Sequence, residues 1–176
     1  MTIQEVQQAM VTSLATYTDA LVTELQQLLT QLDFDFDTGC GKEDVYGLLF
    51  EYELATFSVW CYPFDREANS MSEAKYLLHQ PTNKELFPKH IEANFYATLA
   101  KAQVDEDTIE QLSNELLNYQ ISIFEQWFAD CWEKAKKQVR TTNISMNHKG
   151  FLALYGNIWY YDLDRKEYVR EDEIVE

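Results

Sequence analysis

Ile3, Val6, Met10, Leu14, Tyr17, Leu21, Leu25, Leu28 and Leu32 recur in steps of three and four. That is the spacing of one helix face, so Thr2–Leu32 is predicted to be an amphipathic helix packed on a core. Between Val45 and Phe64 the period changes. Tyr46, Leu48, Phe50 and Tyr52 alternate with Gly47, Leu49, Glu51 and Glu53, and Phe57, Val59 and Cys61 then alternate with Thr56, Ser58, Trp60 and Tyr62. Period two over adjacent segments predicts a pair of antiparallel strands at the centre of a sheet. The connection lacks an Asn-Gly or Asp-Gly signal, so the pattern sets no register. Pro63 is expected to end the pairing.

Farther along, Asp65–Gln80 reads as a loop and a short helix. Ser70 or Ser72 is its cap, Glu73 stands in the capping-box position, and Ala74, Leu77 and Leu78 form its apolar side. Pro81 stops it, and Thr82–Glu85 is a polar connection anchored by Leu86 and Phe87. Pro88 opens a helix to about Gln103. A longer helix runs from Thr108 to about Arg140, capped by Asp105 or Asp107. Its wide apolar face combines a stripe through Ile109, Leu116, Ile123, Trp127 and Cys131 with a second through Leu117, Ile121, Phe124, Phe128 and Trp132. Thr141–Lys149 is a polar loop. Phe151–Tyr161 reads as a hairpin around Gly156-Asn157, and Glu167–Val169 as a further strand. The acidic tail, 171–176, is expected to fray. Together these elements predict one α+β domain over 1–176. Its mainly antiparallel sheet is built from strand groups at about 45–62 and 151–169, packed against the long N-terminal helix and a central helical segment at about 66–140.

Composition narrows the function classes. Thirty acidic against fourteen basic residues give a net charge of −16. Up to Ser58 there are ten acids and a single base, Lys42. Such a surface repels nucleic acid and anionic lipid, and it attracts basic partners. The same charge also keeps a chain with eleven Tyr, ten Phe and four Trp in solution. Cys40, Cys61 and Cys131 are odd in number and far apart, which argues against a disulfide framework and for a reducing, cytoplasmic compartment. The N-terminus has no basic stretch ahead of an apolar one, so a secretory signal is not expected. No apolar run reaches the roughly 18 residues of a membrane span.

The chain shows little catalytic chemistry. Cys61 and Cys131 fall on core faces, and Cys40 has acidic neighbours that would hold its thiol protonated. His79, His90 and His148 share no metal-ligand spacing. No phosphate-binding glycine loop, dinucleotide fingerprint or nucleophile elbow occurs. Asp33, Asp35 and Asp37 alternate as in a calcium loop, but Thr38 replaces the glycine and Asp44 the bidentate glutamate, so a turn with two buried Phe residues is expected instead. No metal or cofactor is therefore expected.

The reading that follows is a non-catalytic domain binding a basic protein through acids at Asp33, Asp35, Asp37, Glu43 and Asp44, with Tyr46 or Tyr52 as anchors. Glu51 and Glu53 share a strand face, which marks that face as solvated or as meeting a positive group. In size, acidity and α+β plan the chain resembles the small cytoplasmic immunity proteins that bacteria use against basic nuclease toxins. The resemblance rests on composition and layout and carries no residue roles with it. The alternative is an enzyme or small-molecule-binding domain with a pocket lined by Trp60, Tyr62, Trp127, Trp132, Trp159 and Tyr160. A third reading is a homodimer through the first helix or the second stripe of the long one.

Overall fold

The computed structural model describes residues 1–54, 58–78, 86, 89–140 and 148–175. The first helix, α1 (Ile3–Gln31), starts at a capping box: the Glu5 N–H donates to Thr2 Oγ1 at 3.3 Å, and the Thr2 N–H donates to Glu5 Oε2 at 2.7 Å. Both donors would otherwise lack an intrahelical partner. Thr2→Ala should therefore lower stability by about 1 kcal/mol, measured as a shift in urea midpoint at constant slope. An unchanged midpoint would mean that packing of Ile3 and Val6 alone holds the helix start. At the other end Leu32 adopts a left-handed conformation, φ 42°, and stays buried.

Two strands follow, β1 (Gly47–Tyr52) and β2 (Val59–Phe64), antiparallel with Gly47 opposite Phe64 and Tyr52 opposite Val59. Contrary to expectation, Pro63 lies within β2, opposite Leu48. The Glu53 N–H donates to the Ser58 carbonyl, so bonded pairs fall at odd positions of β1. Leu48–Pro63 is a non-bonded pair, where no proline N–H is needed.

The short helix expected within Asp65–Gln80 is instead a turn and a strand, β3 (Lys75–Leu77), paired with β2; Gln80 and His79 lie outside the described residues. The Asp65 carboxylate accepts the N–H groups of Glu67 and Asn69, both at 2.9 Å, and holds the turn closed. Ser70 and Ser72 then form bridges to Phe64 and Phe36 rather than capping a helix. The Thr82–Glu85 connection, Phe87 and Pro88 also lie outside the described residues.

The next helix is α2 (Lys89–Lys101), and α3 (Glu106–Arg140) follows. Asp105 caps α3 by accepting the Thr108 N–H at 2.9 Å. Beyond it come β4 (Lys149–Leu154), β5 (Trp159–Asp162) and β6 (Glu167–Arg170), which confirm the second strand group. Most of the expected Thr141–Lys149 loop lies outside the described residues, and Lys149 itself opens β4.

The sheet order is β3-β2-β1-β4-β5-β6. All pairings are antiparallel except β1–β4, the parallel pair at the centre. One face is covered by α1 and α3, which pack along each other. Leu48, Phe50, Tyr52, Val59, Cys61 and Leu152 point into this core. Phe50 meets Phe128 and Trp132, with ring centroids at 5.0 and 5.7 Å, and Tyr52 meets Phe124 at 4.6 Å. Gly150 is required here, because a Cβ would lie 2.5 Å from the Trp132 ring.

A smaller cluster on the other face joins Phe64, Phe151, Val169 and Ile174. The tail does not fray through its length as expected. Glu171–Glu173 forms a 3-10 turn, and Ile174 docks into this cluster, because burying its side chain outweighs ordering a few residues. Among the described residues, no helix is long and apolar enough to cross a membrane.

Candidate functional site on the open sheet face

On the face away from the helices, Tyr76 of β3, Trp60 of β2, Glu51 of β1 and Ala153 of β4 are direct cross-strand neighbours. The row forms because the four residues point to the same side of their strands; Tyr76 is exposed, Trp60 and Glu51 are half-buried, and Ala153 is buried. The Trp60 indole N–H donates to Glu51 Oε2 at 2.8 Å and holds the carboxylate at the N–H edge of the ring. Tyr155, placed just past β4 by its N–H bond to the Tyr52 carbonyl, meets Trp60 edge-on at 5.5 Å. Tyr76 packs on the other side of Trp60 at 6.0 Å. Tyr76 and Tyr155 are 61% and 65% exposed, so these rings face solvent rather than fill a core.

Tyr62 and Tyr160 flank Glu51. Burial, and then the Glu51 carboxylate, push the Tyr62 hydroxyl above its ordinary value; burial, Glu171 and Glu51 do the same to Tyr160. Both phenols stay neutral at physiological pH. The result is a carboxylate set among π-faces, an arrangement that attracts a cation. Among the described residues no cation is paired with Glu51 or stacked on Trp60.

The acids expected from the sequence lie partly beside this face. Asp33 and Asp35 line a shallow depression at the β3 edge with Glu73 and Lys75, and an adjoining depression joins Asp33 and Glu24 to Tyr76. Asp33 pairs with Lys75 at 3.3 Å. Asp37 and Glu43 are exposed, while Asp44 accepts the Gly41 N–H at 3.0 Å and closes the 3-10 turn before β1. Glu53 is exposed at the end of β1.

The two expected anchors are placed differently. Tyr52 is fully buried on the helix side and cannot meet a partner. Tyr46 is half-buried and already carries the Arg66 guanidinium and the Lys149 ammonium over its ring, at 5.3 and 5.1 Å. Tyr52 shares the face of β1 that carries Leu48 and Phe50, and α3 covers that face, whereas Glu51 lies on the other.

The aromatics expected to line one pocket are likewise dispersed. Trp132 is core, Trp127 donates to Thr18 Oγ1 at 3.0 Å beneath α1, and Trp60, Tyr62 and Tyr160 lie across the sheet from both. Trp159 lies elsewhere again, in a cleft of about 460 Å³ with Tyr168, Asn157, Asn118, Ile121 and Ser122.

Behind that cleft is a residue that sequence reading missed. Glu125 of α3 is only 4% exposed, and it accepts the hydroxyls of Tyr52 at 3.1 Å and Tyr168 at 2.5 Å. Burial raises its pKa, against the lowering effect of the two hydroxyl bonds. The available signal was its place in the Ile121–Phe128–Trp132 stripe, where a carboxylate has no reason to be unless it is bonded.

Of the cysteines, Cys40 is exposed, burial pushes the Cys131 thiol up to about 12, and Cys61 is raised well above its ordinary value. Among the described residues no three His, Cys, Asp or Glu side chains are grouped to hold a metal. Comparison with protein-family models, with curated proteins and with solved structures found no match to this chain.

Proposed function

We propose that the chain is a non-catalytic protein-binding domain, immunity- or inhibitor-like in action, that engages a basic protein through the open face of its sheet. The observation that carries this reading is Glu51, held by Trp60 among exposed tyrosines and bordered at the β3 edge by Asp33, Asp35 and Glu73. Charge of this sign and size speeds encounter with a basic surface, and exposed aromatic rings supply the contact area that holds it.

The test is binding to a panel of immobilised small folded proteins, half with isoelectric points above about 9 and half near neutral, in low and high salt. Binding to basic members only, weakened at least tenfold between about 50 and 300 mM salt and further weakened by Asp33→Lys with Asp35→Lys, is the expected result. Equal binding to both halves, or affinity indifferent to salt, would sink the reading.

A second reading, a small-molecule site, has the Trp159–Tyr168 cleft in its favour. Its wall is aromatic with amide and hydroxyl groups and no charged side chain, which suits an uncharged ligand. A thermal-shift screen with neutral metabolites tests it, and a flat result counts against it.

A further inference from the structure

We infer that the open face is built to receive an arginine side chain of the partner, its guanidinium lying on the Trp60 indole with its N–H edge toward the Glu51 carboxylate. This rests on the reading of the domain as a binder of basic proteins, and it names the group that is bound.

The geometry favours a flat cation over a round one. Glu51 sits at the indole's N–H edge, 2.8 Å from Nε1, so the ring and the carboxylate lie side by side. A guanidinium can stack on the ring and still present parallel N–H donors sideways to a carboxylate. An ammonium can meet both groups, as Lys136 does over the Trp132 ring and on Asp164, but as a hydrated point charge it neither lies flat on the ring nor offers the carboxylate two parallel donors. Tyr155 at 5.5 Å and Tyr76 at 6.0 Å border the Trp60 ring and confine such a group laterally.

The chain already makes a similar contact with itself. Tyr46 packs in the small cluster on this side of the sheet, and its ring is covered by Arg66 and Lys149. Around Trp60 the aromatic surface is larger and a carboxylate is present, yet among the described residues no cation occupies it. Net charge complementarity points the same way. A −16 chain that leaves a carboxylate among exposed rings is matched by a positive group, not by an apolar face.

The experiment is a nitrogen-15 NMR titration following the indole N–H signals of the four tryptophans, with that of Trp60 identified by Trp60→Phe. The probes are the blocked amides of arginine, lysine and citrulline, the last keeping the shape of arginine without its charge. Expected are a saturable shift of the Trp60 signal with arginine, at least fivefold weaker binding of lysine, and no shift with citrulline. Glu51→Gln keeps an acceptor for the Trp60 N–H and therefore keeps the face assembled, and it should weaken arginine at least fivefold.

Equal response to arginine and lysine, a shift with citrulline, or undiminished binding by Glu51→Gln each overturns the inference. If no amide shifts Trp60 while basic proteins still bind in a salt-dependent way, the arginine site fails and the wider reading stands. If the basic proteins also fail to bind, both fall.

Discussion

Replacing Trp132 with alanine is expected to cost about 3–5 kcal/mol of unfolding free energy. Its side chain has no exposure and fills the angle between α3 and the parallel centre of the sheet. It meets Phe50 edge-on at 5.7 Å and covers the bare backbone of Gly150. Its indole N–H donates to Asp164 Oδ1 at 3.1 Å, and the same oxygen pairs with Lys136 at 2.7 Å, with the Lys136 ammonium lying over the Trp132 ring. Truncation therefore opens a cavity where a rigid sheet cannot collapse, since Gly150 contributes no side chain to fall in. Against a total of about 5–15 kcal/mol for a domain, the variant should sit near its unfolding threshold at 37 °C. Urea denaturation at fixed slope measures the loss, and a value below about 1 kcal/mol would contradict the packing described. Adding Gly150→Ala should harm the wild type but not the Trp132→Ala variant, because the new methyl group then has room.

The second large effect concerns Glu125. Glu125→Ala leaves the buried Tyr52 hydroxyl without its acceptor, which should cost about 1–3 kcal/mol. Glu125→Gln keeps an oxygen for that hydroxyl, and its signature is pH dependence instead. Burial places the folded pKa of Glu125 above its unfolded value. Below the unfolded value both states hold the proton and no penalty exists. As pH rises through the window up to the raised folded value, the unfolded state releases its proton first, so stability falls. Glu125→Gln lacks this loss. Its stability relative to wild type should therefore increase as pH rises from the ordinary carboxylate range through the raised folded value. Other titrating groups, such as the half-buried Glu24, are common to both proteins and cancel in the difference. A gap that stays constant with pH would show that folding does not shift the Glu125 pKa.

The parts of this fold that were legible in the sequence have many turns or a clear alternation. The long helices declare themselves because a core-facing stripe repeats over several turns, and β1 and β2 because Leu48, Phe50 and Tyr52 alternate cleanly. β3 was not legible. Three residues are too few to show a period, and Ser70, Glu73, Ala74 and Leu77 imitate a capped helix. In place of that helix Lys75–Leu77 pairs with β2 after the Asp65 turn, whose carboxylate-to-backbone bonds leave no periodic trace. The docking of Ile174 was hidden for a similar reason, since a lone apolar residue in an acidic tail signals nothing until its cluster exists.

The candidate site divides along the same line. Glu51 stood out as a charge in an apolar run. Its partner Trp60 did not, because joining them requires the β1–β2 register and the connection carries no turn motif to set it. Tyr155 and Tyr76 depend on register twice over. Tyr52 is no anchor because it alternates in phase with Leu48 and Phe50, and α3 closes over that side of β1.

The parallel pairing of β1 with β4 also affects how the chain is made. Gly47 lies beside Lys149, about a hundred positions away, and the intervening chain includes two strands and two helices. Contacts of such sequence separation form slowly. During synthesis, the β1–β2 hairpin leaves the ribosome with Phe50 and Tyr52 uncovered and its inner edge unpaired. At roughly 5–20 residues per second, the central partner follows only after about 5–20 s. Over that interval the nascent chain exposes an aromatic strand edge of the kind chaperones bind, and like charges in its acidic first third oppose pairing with another copy.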